Sequence, residues 1–343
     1  MSRLMKAANE AVFRTLDDYC QTRGAVLANA GSPRWISSGR QDKEFLRHAK
    51  VGQTVSFSPR RKLASVSLHS NEYILALGFD LQDEYAGLTD VPVEGGHLTF
   101  ALSEFGVVPT ATVSEIRQVV EYSDLTADSE YPGHQHDGIA SLYPRVLLLA
   151  NTEARLPWNI FFRLALNESR YTGSWVDERL TDILQMVAEL DGSRIPYRVL
   201  CRSIFDIDPT SFYLAEYRCL EALFAYTSAK ELSASLSLSM RWSEVATALE
   251  DTLGWYPHED GSLTKLLALA SEADLRDISQ MIGKFTSTVD GPARTAARNI
   301  YWLRNSIVHY RPSQHELAFD KFNWNEICAT MAAIVLHVYG AIN

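Results

Sequence analysis

Three polar residues near the C-terminus, Arg304, Asn305 and His309, have types and spacing that suit cleavage of a phosphodiester bond. The pattern R-N-x-x-x-H is expected by chance roughly 0.02 times in a chain of this composition. Histidine titrates near neutral pH and can act as a general base or a general acid. Arginine stabilises the charged phosphorane without titrating, and a neutral asparagine can orient either group. We therefore expect these residues to support attack of an RNA 2′-hydroxyl on its own phosphate.

The run GPARTAARNIYWLRNSIVHYRP predicts the helix that positions them, beginning near Pro292 and stopped by Pro312. At about 100° per residue, one polar stripe of this helix holds Arg294, Arg298, Asn305 and His309. We expect Arg294 and Arg298 to bind phosphates that flank the cleaved bond. Tyr301 and Trp302 lie at the edges of the stripe, where they can stack on a base or pack within a bundle.

Arg304 falls in the apolar arc of the same helix rather than on the polar stripe. A buried guanidinium needs partners, so one interpretation is a structural ion pair with Glu216 or Glu221. A second is that the long arginine stem carries its charge past the apolar edge. A third is a site shared between two copies of the chain, because one copy supplies only one histidine of the motif. The sequence leaves all three open.

The rest of the chain predicts an α+β protein with a β-rich or mixed N-terminal domain and a large all-α region. Residues 2–23 have helical spacing, and short β-branched and aromatic runs follow from about residue 51. The strand-like runs are QTVSFS, LASVSLH, YILALGF, HLTFALS and VVPTATV. We predict a mixed α/β domain over 1–125, a linker over 126–138, a helical connector over 139–204 and a helical bundle over 205–343.

Composition limits the classes of function. The net charge of −10 argues against indiscriminate nucleic-acid binding, so any RNA site must be a local basic patch. The four cysteines are scattered, which fits a reducing cytosol rather than a disulfide framework or a structural zinc site. The most apolar stretch, Ile327 to Ile342, is shorter than a usual membrane span. We expect a cytoplasmic protein without a membrane segment.

A helical bundle whose R-N-x-x-x-H helix precedes one long apolar helix resembles the HEPN domains (higher eukaryotes and prokaryotes nucleotide-binding). Their hallmark is R-x4-6-H, usually with Asn, Asp or His after the arginine, and Arg304, Asn305 and His309 match it. The run SFYLAEYRCLEALFAY also looks like the first helix of such bundles. The resemblance covers about residues 205–343.

The resemblance implies a metal-independent endoribonuclease, without a cofactor, whose homodimer joins two motifs in one cleft. It also implies a toxin or anti-phage defence role, with an antitoxin or another regulatory partner. HEPN toxins that a nucleotidyltransferase modifies carry R-x4-H-x-Y. Here Tyr310 follows His309 directly and Arg311 takes the tyrosine position, so that form of regulation is not predicted.

Two other functions remain open at this stage. A HEPN bundle can also bind a nucleotide or a protein partner without cutting RNA, in which case Arg304 is structural and His309 is a surface residue. The segment His134-Gln135-His136-Asp137 partly resembles a metallo-hydrolase motif, although its aspartate is one position early and its next histidine is missing. An exposed polar loop is the alternative interpretation of that segment.

Overall fold

The protein has a mixed α+β fold, seen in a computed structural model that describes residues 4–81, 85, 87–125, 132–190, 195–286, 289–309 and 321–342. The chain divides into two compact units, Met1–Phe161 and Phe162–Asn343, called here unit 1 and unit 2. The described strands all lie in unit 1, and the described part of unit 2 is helical. The predicted α+β class is therefore confirmed at this coarse level.

Unit 1 begins with helix α1 (Met5–Gln21), which has the amphipathic spacing expected from the sequence. Its apolar positions Ala8, Val12 and Leu16 are buried in the core of the unit. Four further helices belong to unit 1: α2 (Arg40–His48), α3 (Gly95–Phe105), α4 (Val113–Leu125) and α5 (His136–Ala140).

The sheet of unit 1 is antiparallel throughout, with the strand order β1-β2-β3-β5-β4. Its strands are β1 (Lys50–Ser58), β2 (Arg61–Leu68), β3 (Asn71–Leu77), β4 (Leu88–Val91) and β5 (Val146–Asn151). In the centre of the sheet Leu75 pairs with Ala64 on one side and with Leu148 on the other. These residues are buried, because central strands of this sheet pack against the helices of the unit.

The prediction of a strand at HLTFALS (97–103) is wrong, because this run lies in helix α3. The helix begins after Glu94, whose side chain accepts from the backbone of the first turn. Asp42 of α2 is buried and accepts a hydrogen bond from the Gly96 backbone N–H at 2.8 Å. Contacts from outside the run therefore favour a helix where the local composition suggested a strand. The run VVPTATV also forms no strand in its described residues.

The predicted helical connector over 139–204 is wrong at residues 146–151. These residues form strand β5, which lies between β3 and β4. Residues 126–131 of the predicted linker lie outside the described residues. The remainder, 132–138, belongs to unit 1, where Ile36 and His134 form a parallel β-bridge. The boundary between the units thus falls at Phe161 rather than at residue 125, because β5 completes the sheet.

The helices that follow are short to medium in length. They are α6 (Pro157–Tyr171), α7 (Glu178–Glu189), α8 (Tyr197–Ser203), α9 (Pro209–Glu221), α10 (Tyr226–Ser235), α11 (Trp242–Leu253), α12 (Glu259–Leu267), α13 (Glu272–Ile282), α14 (Pro292–Val308) and α15 (Trp324–Ile342). Within unit 2, α14 packs against α12 and α13, and α15 packs against α7, α9 and α13.

Helix α15 is long and apolar enough to cross a membrane, the one such helix in the described part of the chain. Of the most apolar 18-residue stretch of this helix, 56% is buried inside the protein. Residues such as Ile327, Met331 and Val335 are in the core. That burial favours a core helix of unit 2 over a membrane span.

Candidate functional site

Helix α14 carries the candidate site and separates its residues by face. Pro292 occupies the first turn, where its missing N–H is tolerated. The buried face contains Ala296, Ile300 and Leu303, and the opposite side exposes Arg294 and Arg298. The structure therefore places the two arginines on the solvent side, as the helical projection predicts.

Arg304 lies at the edge of the buried face, with 21% of its side chain exposed. Its Nη1 donates a 2.8 Å hydrogen bond to the Oδ1 of Asn305, so the two neighbouring side chains are held together. Its Nη2 lies 3.6 Å from a carboxylate oxygen of Glu221 at the end of α9. Of the two ion-pair partners that the sequence left open, the structure selects Glu221.

The other candidate, Glu216, is turned to a different neighbour. It is fully buried on α9, and the thiol of Cys328 on α15 faces its carboxyl group. Burial raises the pKa of Glu216 well above its ordinary value. Burial therefore disfavours the charged form that an ion pair with Arg304 would need.

Glu221 is a weak partner for Arg304 on electrostatic grounds. Its pKa is raised, first by burial and then by the nearby carboxylate of Glu259, while Arg304 acts in the opposite direction. The cost of removing the charge from water therefore exceeds the attraction to the arginine. A phosphate with more charge and better geometry can replace Glu221 as the partner of Arg304.

The aromatic ring of Tyr217 forms the floor beside Arg304, with its centroid 5.6 Å from the guanidinium carbon. Burial raises the pKa of this phenol further above its ordinary value. Its hydroxyl is buried and has no hydrogen-bond partner among the described residues. The ring thus restrains the guanidinium from one side and leaves donors available on the other.

His309 lies immediately after α14, where it is exposed and caps the helix. Its backbone N–H donates to the carbonyl of Asn305 at 2.9 Å, which closes the last turn. The backbone of His309 has left the helical conformation (φ −106°, ψ 89°), so the helical projection does not apply to its side chain. The predicted stop at Pro312, together with Tyr310 and Arg311, lies outside the described residues.

Arg294 and Arg298 share the carboxylate of Asp290. Arg298 lies 3.3 Å from one of its oxygens and Arg294 lies 3.7 Å from the other. The Arg298 guanidinium also covers the ring of Phe285 at 4.4 Å. Asp290 therefore offsets part of the charge of these two cations, and Arg294 is the more exposed of the pair.

Sequence reasoning does not identify a role for Asn299, which is completely buried in α14. Its Oδ1 accepts hydrogen bonds from the backbone N–H groups of Lys284 and Phe285 at 3.1 and 2.9 Å. Its Nδ2 donates to the carbonyls of Phe285 and Thr295. Asn299 thereby fixes the segment after α13 to the helix that carries the site. A single asparagine in a helical run does not signal such a function.

The two remaining side chains of interest on α14, Tyr301 and Trp302, are half-buried. The ammonium of Lys284 lies 5.3 Å from the centroid of the Trp302 ring. Packing within unit 2 and contact with an RNA base both remain compatible with these positions.

The histidines of the metallo-hydrolase-like segment do not converge on a common centre. His134 is buried against the ring of Phe13, and burial, together with the positive charge of Arg34, lowers its pKa to about 4. His136 is half-buried and lies 3.1 Å from the carboxylate of Asp137. Among the described residues no group of three His, Cys, Asp or Glu side chains is arranged to hold a metal ion. The exposed-loop alternative is wrong for His134, which is a core residue.

Comparison of the chain with models of known protein families, with curated proteins and with solved structures finds no match. The arguments for function therefore rest on the motif and on the geometry described above.

Proposed function

We propose that the protein is a metal-independent endoribonuclease whose site includes Arg304, Asn305 and His309. The observation that carries the proposal is the hydrogen-bonded Arg304–Asn305 pair, one helical turn before an exposed histidine at the end of α14. This combination provides a fixed cation, a neutral positioning amide and an imidazole that can accept or donate a proton. The R-N-x-x-x-H pattern and its resemblance to HEPN domains support the same function.

In the proposed reaction the RNA 2′-hydroxyl attacks the adjacent phosphorus and the 5′-oxygen leaves. His309 removes the proton from the 2′-hydroxyl or supplies one to the leaving oxygen. Arg304 turns from Glu221 to the non-bridging oxygens, where its positive charge stabilises the phosphorane. The products are a 2′,3′-cyclic phosphate and a 5′-hydroxyl end, and no water or metal enters this step.

The proposal includes a homodimer. One chain supplies one histidine, whereas the reaction uses both a base and an acid, so two copies of α14 facing each other complete the set. Arg294 and Arg298 bind the flanking phosphates of single-stranded or loop RNA. A toxin or anti-phage role in the cytoplasm, with an antitoxin or another regulatory partner, is the biological context that the motif resemblance suggests.

A second candidate function is a non-catalytic protein that binds a nucleotide or a protein partner. The ion pair between Arg304 and Glu221 favours it, because a structural arginine at the edge of a helix bundle has this kind of partner. In that case His309 is a surface residue and its removal has no effect on RNA.

An RNA cleavage assay in the presence of EDTA tests the first proposal. The purified protein, Arg304→Ala, Asn305→Ala and His309→Ala are incubated with single-stranded RNA, and the new ends are identified chemically. Arg241→Ala and His48→Ala are matched controls, since both residues are exposed and neither belongs to α14 or to the helices α9, α12 and α13 that pack against it. We expect EDTA-resistant cleavage that Arg304→Ala and His309→Ala reduce by about a hundredfold or more, with both controls active.

Full activity of His309→Ala would overturn the proposed chemistry. EDTA-sensitive cleavage would contradict the metal-independent mechanism. If the wild-type protein binds RNA, a nucleotide or a partner but cleaves no RNA, the second candidate is favoured. For the shared site, mixing inactive Arg304→Ala with inactive His309→Ala should restore part of the activity through mixed dimers, whereas a site within one chain gives none.

A further inference from the structure

A cleft in unit 1, unrelated to α14, has the features of a small-molecule site. Its volume is about 540 Å³, which falls in the range of ligand pockets. The first turns of α1 form one wall and residues 33–38 form the other, with Lys43 of α2 and Pro132 at the margins. All of these residues belong to unit 1.

The walls of the cleft are held in place by hydrogen bonds. The backbone N–H of Ser37 donates to His134 at 2.9 Å, and that of His134 donates to Trp35 at 2.8 Å. On the opposite side Asn9 is buried in α1, and its Oδ1 accepts from the backbone N–H of Ile36 at 2.8 Å. The side chain of Asn9 thus joins the two walls, so the cleft exists before any ligand binds.

Trp35 is the main aromatic surface of the cleft, with 38% of the residue exposed. Its ring is supported by Gly133, which has φ +88°. A Cβ at Gly133 would lie 2.5 Å from ring atoms of Trp35, so only a glycine lets the backbone pack this closely on the indole. A supported and partly exposed indole is a suitable surface for stacking a planar ring.

The charges around the cleft favour an anion. Lys43 is half-buried at its margin and has no ion-pair partner within the part of the chain that the structure describes. Lys6 on the facing wall lies 3.8 Å from Glu10, which offsets its charge. Arg34 is buried and paired with Asp17 at 2.5 Å. Among the described residues that line the cleft, Lys43 is therefore the cation without an ion pair, in a chain whose net charge is −10.

The apolar lining completes the description. Met5, Pro33, Ile36 and Pro132 also line the cleft, so most of its surface suits a ring rather than a sugar or a peptide backbone. We propose that this cleft binds a small molecule that combines a planar aromatic ring with an anionic group. The ring stacks on Trp35 and the anionic group pairs with Lys43. Nucleoside monophosphates and aromatic carboxylates share this chemistry, and the proposal is independent of RNA cleavage.

Isothermal titration calorimetry on the full chain tests the proposal, with AMP, UMP and benzoate as probes and with adenosine and inorganic phosphate as the separate halves. We expect at least one anionic aromatic probe to bind with a Kd below about 1 mM, and each half alone to bind about tenfold more weakly. Trp35→Ala and Lys43→Gln should each weaken binding by about tenfold or more, whereas Trp35→Phe keeps most of it. The matched control is Lys50→Gln, an exposed lysine at the start of β1 that does not line the cleft.

A preference for AMP and UMP over benzoate identifies a nucleotide site, and the reverse preference identifies an aromatic acid. Thermal unfolding of every variant verifies that it is folded before its affinity is compared. The proposal fails if none of the three probes binds at about 1 mM. It also fails if folded Trp35→Ala and Lys43→Gln bind as tightly as the wild type, or if inorganic phosphate binds as tightly as AMP.

Discussion

Replacing Glu221 by glutamine tests whether Arg304 is available to bind a phosphate or is a structural residue. The substitution keeps the size of the side chain and removes the charge that lies 3.6 Å from the Arg304 Nη2. The folded-state pKa of Glu221 is raised above its ordinary value of 4.5, mainly by burial. Its contribution to stability is therefore full below about pH 4.5 and is lost as the pH rises through the higher folded-state pKa. Glu221→Gln should consequently leave the stability at pH 7 unchanged or slightly higher.

The size of the effect on RNA follows from the geometry of the pair. At 3.6 Å the Coulomb attraction is about 1 kcal/mol in water and about 5 kcal/mol at an effective dielectric constant of 20. Both side chains are partly exposed, 21% for Arg304 and 32% for Glu221, so the net value is close to that of surface pairs, about 0.5–1 kcal/mol. Loss of this competitor should tighten RNA binding by about two- to fivefold.

Fluorescence anisotropy with a labelled single-stranded RNA and the cleavage-deficient His309→Ala background measures this change without turnover. Glu231→Gln is the control, because Glu231 is an exposed glutamate of α10 that also pairs with a cation, Lys265. An increase in affinity for Glu221→Gln alone is the expected result. Weaker RNA binding together with a loss of more than about 1 kcal/mol of stability would refute the reasoning and assign Arg304 a structural role.

Four further predictions concern stability and RNA binding. The folded-state pKa of His134 is lowered to about 4, so unit 1 should lose stability as the pH falls from 6.5 to about 4. His134→Gln should remove up to roughly 3 kcal/mol of this dependence in chemical denaturation, and an unchanged dependence would contradict this prediction. Glu216 has a raised folded-state pKa, so Glu216→Gln should raise the Tm more at pH 8 than at pH 5. An equal change in Tm at the two pH values would contradict this prediction. Asn299→Ala removes four side-chain hydrogen bonds, one buried and three partly buried, and should cost about 3 kcal/mol of unfolding free energy. A cost under about 1 kcal/mol would show that the segment relaxes. Arg294→Ala should weaken RNA binding and reduce the slope of log affinity against log salt concentration by about one. An unchanged slope would show that Arg294 does not contact an RNA phosphate.

Sequence periodicity was sufficient to predict a helix or strand where the local pattern is long and has one period. The spacing in 2–23 predicts α1, the alternating runs from residue 53 predict β1 to β3, and the 292–308 region predicts α14. In α1 and α14 the pattern aligns apolar residues such as Leu16 and Leu303 on one face, and burial of that face stabilises the helix. Strands β2 and β3 are instead buried at four consecutive positions, so both of their faces are covered.

Tertiary contacts decided the short apolar runs. The run 97–103 is helical because Glu94 and the distant Asp42 satisfy the first N–H groups of α3. The run 146–151 is a strand because β3 and β4 provide hydrogen-bonding partners on both sides. Apolar runs of six or seven residues fit either structure, so their partners determine the outcome.

For the candidate site, the sequence determined which residue types lie on α14 and that Arg304 stands at the edge of its apolar face. The choice of Glu221 over Glu216 as the partner of Arg304, and the burial that raises the pKa of Glu216, required the packing of α9 against α14 and α15. The cleft of unit 1 also depended on the tertiary structure, since α1, residues 33–38 and Pro132 come from three separate segments. Local sequence specifies the chemistry that a helix can present, but only packing sets the distances and the dielectric environment that decide how each charge behaves.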